Sequence, residues 1–260
     1  MSEGEGALGE RETSREGRRA GAVVAILLAA GSSRRMRGAA APDREKLWAD
    51  LDGAPLVARP LAMLASLPAV ERVVVVAPAA RHADLARLGG ATELLVVEGG
   101  ARRQDSLSSG VAAAPDASWY VVHDAARPLA SRSLALRVLD AARRYGAALP
   151  GVPAVDTIKE VDGAGRVVRT LPREPLRAAQ TPQAFSGELL RRALAAASRP
   201  GSSEATDCAS LVERIGETVW LVEGEQWNVK VTTAADLSRV RAGVHDRGTV
   251  EGGGPGEGSY

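Results

Sequence analysis

The sequence has one cysteine, Cys208, so no disulfide can close within the chain and a cysteine-rich metal site is excluded. Its three histidines, His82, His123 and His245, are too few for a histidine-rich metal site. Aromatic residues make up only 3% of the chain, so a core must be built from Ala, Val and Leu. An excess of one charge is also missing. Lys+Arg 33 against Asp+Glu 32 leave a formal charge of +1, without the basic surplus expected of a general nucleic-acid binder. No apolar run approaches the roughly 20 residues of a membrane helix, and residues 1–21 lack the apolar stretch of a signal peptide. These absences fit a reducing, cytoplasmic setting with neither a nucleic-acid nor a membrane partner. Residues 1–21 and the glycine-rich 247–260 read as disordered tails around one domain spanning 22–246.

What is present is alternation. Apolar runs at 22–28, 72–77, 94–97, 119–122, 147–155 and 218–222 are separated by Ala/Leu/Arg-rich helical patterns. The latter lie at 55–67, 79–88, 104–114, 131–145, 186–198 and 234–245. Short buried strands alternating with helices predict an α/β domain, a doubly wound, mostly parallel sheet with its site at the carboxyl ends of the strands. One stretch departs from this. Across residues 156–180, D-T-I-K-E-V and R-V-V-R-T-L flank D-G-A-G, which predicts a protruding β-hairpin arm. An isolated hairpin is marginal in water, so the arm is expected to pack against a second subunit, the alternative being a simple surface excursion.

Several stretches carry chemistry. A-A-G-S-S-R-R-M, residues 29–36, ends the first strand in a glycine turn with two arginines. Glycine permits close backbone approach to a ligand, successive N–H groups form an anion nest, and Arg34 and Arg35 add charge. The turn is neither a P-loop nor G-x-G-x-x-G. Lys46, in D-R-E-K-L-W, serves the same turn only if the chain folds back onto it. In V-V-H-D-A-A-R-P-L, a strand runs directly into His123, Asp124 and Arg127. Asp124 at a strand's carboxyl end suits Mg²⁺ bridging phosphates, and Arg127 suits a phosphate. The spacing equally allows an internal Asp124–Arg127 pair closing the turn. His123 reads as a packing or orienting residue rather than a base. Thr206 and Asp207 open a helix as candidate N-caps, and Lys230 is expected on a short strand before the last helix. Arg173 and Thr181 occupy turn positions.

Taken in order, these stretches resemble the 2-C-methyl-D-erythritol 4-phosphate cytidylyltransferases. A-A-G-S-S-R-R-M is similar to that family's A-A-G-x-G-x-R-M, and G-G-A-R-R-Q-D-S-L-S-S-G to its G-G-x-x-R-x-x-S-V-x-x-G. E-K-L-W-A-D-L-D-G-A-P-L, H-D-A-A-R-P, A-A-Q-T-P-Q-A-F and N-V-K-V-T-T complete the series. Departures from the family pattern are Ser33 for a glycine, Glu45 for a proline, Leu47 for a glutamine, a longer 36–45 loop, and Cys208 where T-D-D ends in Asp.

The resemblance implies a nucleotide-diphospho-sugar transferase-like fold and transfer of a cytidylyl group from CTP to methylerythritol phosphate, with Mg²⁺ and release of pyrophosphate. It implies catalytic roles for Arg35, Lys46, Arg173 and Lys230. Nucleotide binding falls to Ala29, Ala30, Gly31, Ser32, Ser33, Gly100, Ala101 and Ser106. Acceptor binding falls to Asp124, Arg127, Thr157, Arg173, Thr181, Thr206 and Lys230, with Asp124 also the metal ligand. A homodimer through the hairpin arm would share each site between subunits. The alternatives are a ribitol-5-phosphate cytidylyltransferase and, from another class, a catalytically silent nucleotide-binding protein.

Overall fold

The computed structural model describes residues 21–30, 46–90, 92–199 and 201–251, with residues 245–251 described by backbone alone. Strand β1 (Val23–Leu28) is followed by a small hairpin, β2 (Asp50–Leu51) and β3 (Ala54–Pro55), then α1 (Ala58–Ala65). Next come β4 (Val70–Ala77), α2 (His82–Arg87), β5 (Glu93–Glu98), α3 (Arg103–Ala112) and β6 (Trp119–Asp124). The chain continues through α4 (Arg132–Tyr145), β7 (Ala147–Pro153), the hairpin β8 (Ile158–Val161) and β9 (Val167–Leu171), and β10 (Arg177–Ala179). It ends with β11 (Gln183–Ser186), α5 (Gly187–Ala197), α6 (Ala209–Glu213), β12 (Trp220–Glu223) and α7 (Ala234–Glu251).

The main sheet runs β12-β7-β11-β6-β1-β4-β5, with β10 beside β7 beyond the end of β11. The pairs of β1 with β4 and β6, β4 with β5, and β7 with β12 are parallel, as the alternating pattern predicts. β10 and β11 run antiparallel to their neighbours. They lie on one side of β7, interrupted at the cis Thr181–Pro182 bond, where proline has no N–H for a ladder.

Both faces of the sheet are covered, which explains why the central strands read as unbroken apolar runs. Val23, Ala25 and Leu27 pack with Leu61, Leu64, Leu134 and Leu139 on one face. Val24 and Ile26 pack with Leu107, Val111, Phe185 and Leu190 on the other. A smaller cluster of Leu51, Leu56, Leu129, Val231 and Val240 seats α7 against the β2–β3 hairpin. Local signals set the helix ends. Ser131 Oγ accepts from Leu134 N at 3.0 Å to start α4, and Gly146 ends it with φ of 95°, a conformation that favours glycine.

This packing levels the strand ends. Leu28 is in register with Asp124 on one side and Val76 on the other. The turn leaving β1 therefore sits beside the turn leaving β6. The hairpin β8–β9 forms its own two-stranded sheet. The expected arm ends earlier than residue 180, because Arg177–Ala179 rejoins the main sheet against β7.

Candidate active site

Asp124 is the last residue of β6 and 8% exposed. Its Oδ1 accepts from Arg103 Nη2 at 2.9 Å and its Oδ2 from Lys230 Nζ at 2.7 Å. Burial opposes the charge on this carboxyl. The two cations and their hydrogen bonds outweigh it and hold Asp124 well below the usual carboxylate range. Neither sequence reading of Asp124 foresaw these partners. Arg127 does not pair with it through a hydrogen bond. Instead Arg127 Nη1 donates to the Asn228 carbonyl at 2.6 Å and Nη2 to the Ala179 carbonyl at 3.2 Å. Its Nε is buried with no hydrogen-bond partner among the described residues.

Lys230 does not stand on a strand as expected. It lies in the irregular segment after β12, where Val231 N donates to the Ala126 carbonyl at 2.8 Å instead of joining a ladder. Its side chain is 43% exposed, so the ammonium faces both Asp124 and solvent.

A second layer fixes the β6 turn. Thr181 Oγ1 accepts from Asp124 N at 3.0 Å and lies 2.8 Å from His123 Nδ1. His123 Nε2 lies 3.1 Å from the Arg127 carbonyl. Burial pushes the His123 imidazole down to about 4, with the Asp124 charge offsetting part of that shift. It is therefore neutral at pH 7. A carbonyl can only accept, so Nε2 carries the proton and Nδ1 accepts from the Thr181 hydroxyl. Thr181, 4% exposed, thus spends its hydroxyl inside the protein. It supports the strand end from behind. His123 has the orienting role expected of it.

The remaining expected residues are spread over several parts of the chain. Gly31, Ser32, Ser33 and Arg35 lie outside the described residues. Ala30 and Ser106 meet at Gly99, Ser106 Oγ lies 3.4 Å from the Gly100 carbonyl, Ala29 follows the end of β1, and Ala101 is exposed in the loop after Gly100. Ala29 N donates to the Val76 carbonyl at 2.8 Å, and Ser106 Oγ donates to the Arg102 carbonyl at 3.2 Å. A Cβ placed on Gly99 would lie 2.2 Å from Ala30 Cβ and 3.1 Å from Ser106 Oγ, so the β5–α3 loop rests directly on the end of β1. Lys46 opens a 3₁₀ turn, Lys46–Trp48, tied to α1 by Val57 N donating to the Leu47 carbonyl at 3.0 Å.

Thr206 is exposed just before α6; neither it nor Asp207 is the N-cap, which is Cys208, although Asp207 Oδ1 accepts from Ser210 N at 2.9 Å. Thr157 and Arg173 are exposed on the arm. Arg173 Nη1 donates to the Val155 carbonyl at 2.6 Å, and among the described residues neither side chain bonds to the Asp124 cluster.

Arg103 and Cys208 were missed as members of the site. Arg103 Nη1 donates to Cys208 Sγ at 3.0 Å. The sequence signal was the fixed arginine of G-G-x-x-R-x-x-S, which falls on Arg103 in G-G-A-R-R-Q-D-S. Among the described residues no group of three or more His, Cys, Asp or Glu forms a metal cage. Mg²⁺ usually takes one or two carboxylates and completes its shell from water and phosphate oxygens. The single carboxylate of Asp124, with an exposed lysine on Oδ2, fits that smaller requirement.

A family model described as 2-C-methyl-D-erythritol 4-phosphate cytidylyltransferase matches residues 23–246. The chain belongs to this family. A 2-C-methyl-D-erythritol 4-phosphate cytidylyltransferase of Rhodococcus jostii (strain RHA1) is 44% identical over 227 residues, covering 87% of this chain and 96% of that protein. A crystal structure of a 2-C-methyl-D-erythritol 4-phosphate cytidylyltransferase from Thermus thermophilus superposes with a TM-score of 0.70 at 35% identity, covering 85% of this chain and 98% of that one. A bifunctional enzyme, IspD/IspF, of Anaeromyxobacter dehalogenans (strain 2CP-C) is 44% identical, and the match covers 56% of its length. Family membership makes the chain a cytidylyltransferase, a nucleotidyltransferase enzyme with the Rossmann-like α/β fold of its solved relatives. Among its described residues no helix is long and apolar enough to cross a membrane.

Proposed function

We propose that this cytidylyltransferase joins CTP and 2-C-methyl-D-erythritol 4-phosphate, forming 4-diphosphocytidyl-2-C-methyl-D-erythritol and pyrophosphate in isoprenoid precursor synthesis. The observation carrying the reading is the buried Asp124 carboxylate bridged by Arg103 and Lys230 at the carboxyl end of β6, in a chain of this family.

The acceptor's phosphate oxygen attacks the α-phosphorus of CTP, and the bond from that phosphorus to the bridging oxygen of pyrophosphate breaks. A phosphate monoester loses its second proton near pH ~6, so the nucleophile is already ionised and no general base is needed. That agrees with a neutral, inward-facing His123. The protein's work is to bring anions together and to stabilise charge on the α-phosphate. Lys230 and Arg127 would hold the acceptor phosphate, with Thr206 beside them. Arg35 and Lys46 would meet the α-phosphate, and the Gly31–Ser33 amides would wrap the triphosphate. Gly100, Ala101 and Ser106 would line the pocket for base and ribose with Ala29 and Ala30. Asp124 would hold Mg²⁺, which neutralises triphosphate charge when bound. Thr157 and Arg173 are separated from the Asp124 cluster in their own chain and would serve the site of a second subunit, in a homodimer joined by the arm. The setting would be cytoplasmic, where both substrates are at hand.

A pyrophosphate-release assay with Mg²⁺ tests the reading across CTP, UTP, GTP and ATP. Each nucleotide is paired with methylerythritol phosphate, ribitol phosphate or a sugar 1-phosphate. Turnover with CTP and methylerythritol phosphate alone is expected. Turnover with ribitol phosphate in its place would move the enzyme to another pathway. Arg35→Ala and Lys46→Ala retaining full kcat would overturn the roles given to those cations.

A further inference from the structure

Arg103 is not among the groups assigned to either substrate, yet it joins elements that carry them. It is the first residue of α3, directly after the loop proposed for the base. Its Nη2 reaches Asp124 Oδ1 at 2.9 Å and its Nη1 reaches Cys208 Sγ at 3.0 Å, with the side chain 22% exposed. Asp124 passes the connection to Lys230 on its other oxygen. One guanidinium and one carboxylate thus tie the start of α3, the end of β6, the residue before α6 and the segment before α7. The neighbouring Arg102 turns the other way and grips Asp105 in the first turn of α3 at 2.7 Å.

The two cations on Asp124 are not equivalent. Arg103 is anchored at two points by a planar fork and is mostly enclosed. Lys230 hangs on a flexible stem and is the more exposed partner. A carboxylate with only one cationic partner would hold that partner at full strength. Asp124 divides its charge between two, so its grip on Lys230 is weaker.

We infer that Arg103 is a positioning residue for the acceptor phosphate: it fixes Asp124 and takes up part of its charge, leaving Lys230 able to turn from Asp124 to a phosphate monoester. Cys208 belongs to the same device. Burial pushes its thiol up, against the opposing pull of Arg103, so the sulfur accepts the guanidinium's bond without adding a charge. Two cations and one carboxylate then leave the Arg103, Asp124 and Lys230 cluster net positive. A carboxylate at position 208 would cancel that charge. The inference rests on the acceptor site proposed at Lys230.

Steady-state kinetics with CTP and methylerythritol phosphate varied separately provide the test, on Arg103→Met, Arg103→Lys, Cys208→Asp and Arg102→Met beside the unsubstituted chain. Arg103→Met is expected to raise KM for the acceptor roughly 10–100-fold, the effect of losing a charged hydrogen bond, and to leave KM for CTP far less altered. Arg103→Lys restores part of the loss, and Cys208→Asp also raises the acceptor KM. Arg102→Met, which removes the adjacent cation, keeps the acceptor KM within about twofold. An unchanged acceptor KM in Arg103→Met, or equal rises in both KM values, overturns the inference. If Arg103→Met does not fold, Arg103→Lys and Cys208→Asp carry the same comparison. If the unsubstituted chain turns over neither substrate, the functional reading fails instead. Calorimetric titration with inorganic phosphate then decides the role of Arg103. Weaker binding in Arg103→Lys or Cys208→Asp than in the unsubstituted chain supports it, and equal binding ends it.

Discussion

Lys230 Nζ donates to Asp124 Oδ2 at 2.7 Å, joining two residues 106 positions apart. Asp124 is placed by the buried strand β6, whereas Lys230 is placed by an irregular segment tied back to the β6 turn through Ala126. The carboxylate is thus rigid and the ammonium is free on one side. With Arg103 on the other oxygen, the two cations outweigh burial and hold the Asp124 carboxyl well below the usual carboxylate range. The pair stores a cation at the mouth of the site without burying it.

Replacing that cation tests its use. Lys230→Met is expected to lower kcat/KM by roughly 10²–10³, the scale seen when one fixed electrostatic donor is removed from a reacting anion. Lys230→Arg recovers part of the activity, since charge is kept and reach is altered. Pyrophosphate release measures both. Activity within a few-fold of the unsubstituted chain in Lys230→Met would remove Lys230 from the machinery.

His123 gives a pH prediction with a definite sign. Its pKa falls from the ordinary 6.5 to about 4 in the folded chain, because burial disfavours the charged ring. The folded state therefore favours the neutral form. The associated stability is full above pH 6.5 and is lost as pH falls from 6.5 toward 4. A shift of that size corresponds to about 3 kcal/mol. Urea midpoints measured across this window are expected to fall with acidification, and less steeply in His123→Gln. Parallel slopes in the two proteins would show that His123 does not set the dependence.

Much of this architecture was legible because burial on both sheet faces leaves a simple trace. β1 is apolar throughout, as are Val73–Ala77 of β4 and Trp119–Val122 of β6, and such short runs between helical patterns fit strands covered on both faces. The β8–β9 hairpin was legible through D-G-A-G. β10 and β11 were not, because Gln180, Thr181 and Gln183 look like loop residues and are buried only by specific bonds. Gln183 Nε2, for example, donates to Asp207 Oδ2 at 2.8 Å. V-K-V-T-T alternates like a strand, yet its backbone bonds to a turn. The order of motifs announced Asp124 and Lys230 as site residues. Their contact was invisible, since it depends on how the irregular segment before α7 packs against β6, whereas the fixed arginine of G-G-x-x-R-x-x-S already falls on Arg103 and not on Arg102.

Gly99 tests the loop proposed for the nucleotide base. A methyl group there would overlap Ala30 Cβ at 2.2 Å and crowd Ser106 Oγ at 3.1 Å, so the loop or the chain after β1 must shift. Gly99→Ala is expected to destabilise by about 1–3 kcal/mol, the usual scale of overpacking. At roughly 2–4 °C per kcal/mol for a domain of this size, the thermal midpoint drops visibly. KM for CTP rises with it. Gly90→Ala, where nothing lies within 4 Å, is the matched control and keeps its KM. Equal CTP affinity in all three proteins would separate this loop from the nucleotide.

The arm predicts the assembly. Val161, Val167 and Val168 are 54%, 60% and 60% exposed on a two-stranded sheet outside the main one. Such a hairpin is marginal by itself, and its exposed valines are expected to be covered by a second copy of the chain. Arg173 stands at its base, its Nη1 donating to the Val155 carbonyl rather than to the Asp124 cluster. Val167→Glu with Val168→Glu places two charges on that surface without touching the core. Sedimentation equilibrium is expected to show a dimer for the unsubstituted chain and a monomer for the double variant, with thermal unfolding of the main domain unchanged. If the arm completes the partner's site, the monomer also loses turnover, and mixing it with a Lys230→Met chain restores little. A monomeric variant with full kcat would leave the dimer standing but free the active site from it, and Arg173 would then have no place in the chemistry.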